Sequence, residues 1–119
     1  MSMDLANDIE IRIEDAAAEQ IVHVKGAISL LTAGKLQTVF LDALRPGART
    51  VLDGRDIEAV DLSGLQLLCA AHRTYLSHLA CFEIRGRSET LKAAADAAGY
   101  SACDSVCRHR GEHNCLWKW

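Results

Sequence analysis

Large rings are scarce in this chain, with two Trp, two Tyr and two Phe among 119 residues. Aliphatic side chains must therefore fill most of any core. No apolar run approaches the ~18 residues of a membrane span. No charged-then-apolar leader opens the chain. The expected location is the cytoplasm, without membrane insertion. A basic excess is also missing: 13 Lys and Arg stand against 16 Asp and Glu, a formal net charge of -3. That argues against nucleic acid, which needs a basic footprint. The chain has no internal repeat and no low-complexity segment. Catalytic signatures are missing too. There is no phosphate-binding glycine loop, no Ser/His/Asp set in a recognised context and no carboxylate pair at a useful spacing. The reading is a non-enzyme with no cofactor.

What the chain has is the composition of one globular domain. Half of its residues are apolar. A chain of this length buries about two-thirds of its unfolded surface, enough for one core. In a cytoplasmic protein the five cysteines are expected as reduced thiols, not as a disulfide frame.

Hydrophobic periodicity then orders the elements. Residues 1–8 are polar and read as a flexible N-terminus. Ile9, Ile11 and Ile13 alternate with Glu10 and Arg12, which predicts a half-buried strand. Asp15 to Glu19 reads as a turn. Ile21 to Val24 predicts a second strand, ending at Lys25-Gly26. Thr32 is placed to cap a helix that turns Leu36, Val39, Phe40 and Leu44 inward. Arg45-Pro46-Gly47 stops it. Thr50 to Asp53 predicts a third strand. A polar loop follows and fires into a second helix, with Ser63 as its N-cap. Leu65, Leu68, His72, Leu76 and Leu79 recur at steps of three and four and predict that helix's inner face, to about Leu79. His72 reads as a hydrogen-bonded core residue. Cys81 to Ile84 predicts the fourth strand. Ser88 caps a third helix with Leu91, Ala94, Ala95 and Ala98 inward, and Gly99 suits a left-handed end to it. Strand–helix alternation from residue 50 onward implies right-handed crossovers and parallel strands.

Several of these residues resemble a known family. Asp53, followed by Val60-Asp61-Leu62-Ser63-Gly64-Leu65, is similar to the Asp-Ser-Ser-Gly-Leu signature of STAS domains (sulfate transporter and anti-sigma-factor antagonist). The likeness extends to Val24-Lys25-Gly26, to Leu36 and Leu44, and to Ala97-Ala98-Gly99-Tyr100. It covers residues 9–100. The resemblance implies a single STAS-like α/β domain there: a mixed four- to five-stranded sheet with helices packed mainly on one face. It implies that Ser63, at the family's second serine, is phosphorylated by a partner kinase. The family's first serine is Leu62 in this chain, so that hydroxyl is absent. Asp61, Leu62, Ser63 and Gly64 become the expected partner-binding residues. The implied partner is an anti-sigma factor with serine kinase activity, and the implied function is that of an anti-sigma-factor antagonist. The alternative is an adaptor of a chemosensory or transporter complex with no phospho-switch.

Each signature residue also has a structural role open to it. Ser63 can serve only as a cap, Asp61 can accept loop N–H groups, and Gly64 can relieve crowding in the first helical turn. Residues 101–119 form a separate tail in this reading. Cys103, Cys107, His109, His113 and Cys115 crowd thirteen residues of it. Thiolates and imidazoles suit zinc, but the spacing matches no standard finger pattern and no metal ligand is assigned. Reduced cysteines acting as small apolar residues are the other reading. A metal-dependent hydrolase centred on this tail is a remote third function. Cys115 to Trp119 reads as an apolar plug that folds back on the domain.

Overall fold

The computed structural model describes residues 9–16, 18–99 and 116. Their elements run β1 (Ile9–Ala16), β2 (Glu19–Ile28), α1 (Ala33–Ala43), β3 (Arg49–Val60), α2 (Leu62–Ser77), β4 (Cys81–Arg85) and α3 (Glu89–Ala97). The four strands form one sheet in the order β1-β2-β3-β4. β1 and β2 are antiparallel, and β2, β3 and β4 are parallel neighbours. The sheet is therefore mixed, as expected, with four strands among the described residues.

The strands are longer than the sequence suggests. The predicted turn at Asp15 to Glu19 is mostly ladder, because pairing continues through Asp15↔Gln20 to Ala16↔Glu19. Backbone hydrogen bonds between adjacent strands outweigh the helical leaning of three alanines. β2 runs on past Gly26 to Ile28, and β3 past Asp53 to Val60. These second halves pair with each other through two register shifts, at His23/Lys25 and Gly26/Ala27. Gly26 has φ 112°, a conformation that suits glycine at such a bulge. The predicted polar loop after Asp53 is thus a strand. β4 ends at Arg85, so this half of β3 keeps only β2 as a strand partner. Arg55, Asp56 and Glu58 stay exposed while Ile57 is buried.

Helices and sheet enclose one apolar core. It joins Val22, Val24 and Ile28 of β2, Leu52 of β3, and Phe82 and Ile84 of β4 to Leu36, Phe40, Leu65, Leu68, Tyr75, Leu91 and Ala95 of the helices. Three phenyl and phenol rings of the described residues meet within it. Phe40 and Phe82 lie edge to face at 4.9 Å between centroids, and Tyr75 tilts against Phe82 at 5.4 Å. The Tyr75 hydroxyl donates to the Phe40 carbonyl at 2.6 Å and accepts from Thr50 Oγ1 at 3.0 Å. A fully buried phenol therefore leaves no polar group unpaired.

The inner faces shift by a position or two. On α2 the buried set is Gly64, Leu65, Leu68, Ala71, His72 and Tyr75. Leu76 is half-buried. Leu79 lies beyond the helix and is 83% exposed. On α3, Leu91 and Ala95 are buried, Ser88 caps through Leu91 N–H, and Gly99 is left-handed at φ 82°. Ala98, expected inside, is exposed. Thr32 stands at the cap position of α1 but makes no capping bond. Its hydroxyl turns back into the preceding loop instead.

Candidate functional site

The helix that carries the signature begins two residues earlier than predicted. Its N-cap is Asp61, not Ser63. Val60 ends β3 and Leu62 opens α2, so a single residue makes the corner. Asp61 can do this because its carboxylate reaches over the first turn. Oδ1 accepts from Gly64 N–H at 2.9 Å, the third helical amide, as a good cap does. Oδ2 accepts from Leu30 N–H at 3.2 Å. The Asp61 amide donates to the Ile28 carbonyl at 3.1 Å. One residue therefore ties the mouth of α2 to the β2–α1 connection, 31 positions earlier.

That connection satisfies its own polar groups. Thr32 Oγ1 accepts from Ser29 N–H at 2.9 Å and donates to the Ala27 carbonyl at 2.8 Å. Ser29 Oγ accepts from Leu31 N–H at 3.2 Å. The tight turn turns two side chains outward: Leu30 is 74% exposed and Leu31 is 63% exposed. Across from them, Leu62 is 55% exposed. Ser63 follows at the second helical position, partly exposed. Its hydroxyl is released from capping because Asp61 does that work. No charged side chain other than the cap lies in the first turn.

Gly64 is buried. A Cβ placed on it would lie 2.7 Å from the Ile28 carbonyl oxygen and 2.7 Å from Val60 Cγ2. Its missing side chain makes room for the fold's own β2 strand, so its close approach is internal. Of the four expected partner-binding residues, Asp61, Leu62 and Ser63 face the surface and Gly64 backs them. Leu30 and Leu31 escaped the sequence reading. The signal was there: a Leu-Leu pair after a strand end and before the α1 start fits the inner face of neither.

Asp53 lies elsewhere. Alternation along the strands puts it on the sheet face opposite the helix-facing Leu52, within an ionic network. His23 Nδ1 meets Asp53 Oδ2 at 2.9 Å and His23 Nε2 meets Glu14 Oε1 at 2.8 Å. Arg55 Nη2 donates to Asp53 Oδ2 at 2.8 Å. The Arg55 hydrogen bond holds the Asp53 carboxyl below its ordinary range, against an opposing push from burial. Arg85 likewise bridges Glu19 and Glu83, and its hydrogen bond lowers the Glu19 carboxyl. The signature aspartate at Asp53 is thus a sheet-face ion pair, separate from the Asp61–Ser63 corner. His72 is buried on α2. Cys103, Cys107, His109, His113 and Cys115 lie outside the described residues, as do residues 1–8. Among the described residues no three side chains are grouped as metal ligands, and no helix is long and apolar enough to cross a membrane.

A family model described as Mlab, STAS domain, matches residues 11–103. The chain belongs to the STAS domain family. No curated protein matches the sequence. Solved structures are similar in fold. An anti-sigma factor antagonist from Mycobacterium paratuberculosis is similar with TM-score 0.66 at 22% identity, covering 81% of this chain and 82% of that one. The anti-sigma factor antagonist SpoIIAA, in its unphosphorylated form, has TM-score 0.58 at 13% identity, covering 78% and 84%. A STAS-domain antisigma-factor antagonist from Rhodobacter sphaeroides has TM-score 0.56 at 24% identity, covering 70% and 95%. At these identities the likeness is one of fold. In this STAS domain Ser63 sits in the first turn of α2, directly after the exposed Leu62, and the Asp61 cap ties that turn to the loop that carries the exposed Leu30 and Leu31.

Proposed function

We propose that this STAS domain is an anti-sigma-factor antagonist that switches partners through phosphorylation of Ser63. The observation that carries the reading is the Ser63 hydroxyl. It is partly exposed and free of capping duty, next to the exposed Leu62 and two residues from Asp61, which holds the loop of the exposed Leu30 and Leu31. In the unphosphorylated protein this apolar surface docks an anti-sigma factor. The partner, acting as a serine kinase, then transfers the γ-phosphoryl group of ATP. A bond forms between Ser63 Oγ and phosphorus, the bond to the β–γ bridging oxygen breaks, and ADP leaves. The hydroxyl proton passes to a base on the kinase.

A phosphate adds about -1.5 to -2 charge at neutral pH. Charge at a helix N-terminus is compatible with the helix dipole, so the domain stays folded. Its effect falls on the docking surface. Desolvating it against an apolar partner costs several kcal/mol, enough to release a micromolar or nanomolar complex. With a cognate kinase and ATP, intact-mass measurement should show one added phosphate, and Ser63→Ala should show none. Labelling that persists in Ser63→Ala would move the acceptor to another residue.

A second reading rests on Leu62. Where the family carries a serine, this chain exposes a leucine, and the matching family model is the one described as Mlab. A third apolar side chain favours lasting attachment, as in an adaptor of a transporter or chemosensory complex. Purification from native cells separates the two. A switch yields a complex that dissociates on addition of ATP, and an adaptor yields one that does not.

A further inference from the structure

We propose that Asp61 is the positioning residue through which charge at Ser63 reaches the Leu30–Leu31 loop. The proposal rests on the Ser63 reading for the source of the charge, while the clamp itself rests on geometry alone. One carboxylate serves two amides from distant parts of the chain. Oδ1 takes the Gly64 N–H of α2 and Oδ2 takes the Leu30 N–H of the β2–α1 connection. This contact fixes the loop that carries the exposed Leu30 and Leu31 to the helical turn that carries the exposed Leu62.

The two amides differ in what happens when the carboxylate is disturbed. A phosphoryl group on Ser63 would place like charge two residues from Asp61, an arrangement that repels. The first-turn amides of α2 then have a substitute acceptor, because phosphate oxygens suit a helix N-terminus. The Leu30 amide, on an exposed residue, is left to water. Every other side-chain oxygen of its own turn is already engaged: Ser29 Oγ with Leu31 N–H, and Thr32 Oγ1 with Ser29 N–H. Charge at Ser63 therefore leaves the helix capped and lets go of the loop. The leucines part from Leu62, and the apolar surface comes apart without any unfolding. Release of a partner then follows from two causes at one site, the charge itself and the dispersal of the leucines.

Asp61→Asn isolates the clamp. Asparagine is an equally good cap and keeps one oxygen for Gly64 N–H, but its amide nitrogen cannot accept from Leu30. Amide exchange by NMR in the full chain should show Leu30 exchanging about ten-fold faster, as expected for one lost hydrogen bond to a charged acceptor, with Gly64 unchanged. The same chain with phosphoserine installed at position 63 by codon expansion should show the same pattern, with no kinase needed. Leu30 exchange equal to wild type in Asp61→Asn overturns the clamp. Fast exchange in Asp61→Asn but not in the phosphoserine protein overturns the coupling. Failure of any kinase to label Ser63 touches neither result and counts only against the phospho-switch.

Discussion

Ser63 and Asp61 exchange the roles that residue preferences assign to them. Both are good N-caps, and the apolar periodicity starts after Ser63. The corner goes to Asp61 because β3 delivers Val60 against Ile28, so the chain must turn two residues sooner. A thermodynamic difference follows. Ser63→Ala should change unfolding free energy by less than about 0.5 kcal/mol, since an exposed hydroxyl without a capping bond is lost. Asp61→Ala should cost about 1 kcal/mol or somewhat more, because the cap and the loop contact go together. Urea unfolding with a common slope measures both. Equal costs for the two variants would put the cap back on Ser63.

At the scale of elements, the end of α2 and the open face of the sheet each carry a testable feature. α2 closes with Leu79 N–H donating to the Leu76 carbonyl and Ala80 N–H to the Tyr75 carbonyl. This is the paired bonding of a Schellman end, which usually places glycine in the left-handed position. Here that position holds Leu79 at φ 59°, with its side chain almost wholly in water. Leu79→Gly removes a backbone strain of about 1–2 kcal/mol and returns about 0.5–1 kcal/mol through a looser unfolded chain. A net gain of about 0.5–1 kcal/mol is expected in the urea midpoint.

On the sheet face, Asp53 faces His23 on β2 and the Arg55 guanidinium on its own strand, with Glu14 of β1 on the far side of the His23 ring. Its folded carboxyl gives up its proton more readily than the unfolded chain's. The stabilisation is therefore complete above the ordinary value of 3.8 and is lost as pH falls through the lower folded value. Arg55 is mostly in solvent, so the pair contributes no more than about 1 kcal/mol. The stability gap between wild type and Asp53→Asn should be open at pH 7 and close as the acid range below 3.8 is entered. Thermal melts across that range, with a gap that stays constant, would rule out the Asp53 contribution.

For the whole molecule, the far end of the chain matters to the core. Leu116 is 7% exposed and belongs to the same buried cluster as Phe40, Leu68 and Leu91. Residues 101–119 read from sequence as a separate tail, yet this one position helps fill the domain. Leu116→Ala should destabilise by about 2 kcal/mol, near the low end for buried leucines because its site borders the surface. A truncation after residue 100 should cost at least as much in the same urea assay. Stability unchanged by both would detach the tail from the core.

How far the sequence reaches can be judged from particular residues. Helix α3 was legible in its cap, its packing and its end, since Ser88 caps, Leu91 and Ala95 pack and Gly99 follows it, through local rules of bonding and periodicity; only Ala98, expected inside, lies exposed. The parallel arrangement of β3 and β4 followed from strand–helix alternation, and the family from the order of Asp61, Ser63, Gly64 and Leu65. Other features depended on neighbours far away in the chain. Arg55, Asp56 and Glu58 read as a loop because their polarity is local, whereas their strand geometry comes from pairing with β2. Tyr75 looked unremarkable until the Phe40 carbonyl and Thr50 gave its hydroxyl partners. Leu30 and Leu31 became a surface only when Asp61 bound their loop to α2. Local propensity and apolar spacing determined the order of strands and helices and put Ser63 in the first turn of α2. Tertiary contact decided strand lengths, the true cap and what surrounds Ser63, because those depend on hydrogen bonds between residues about thirty apart.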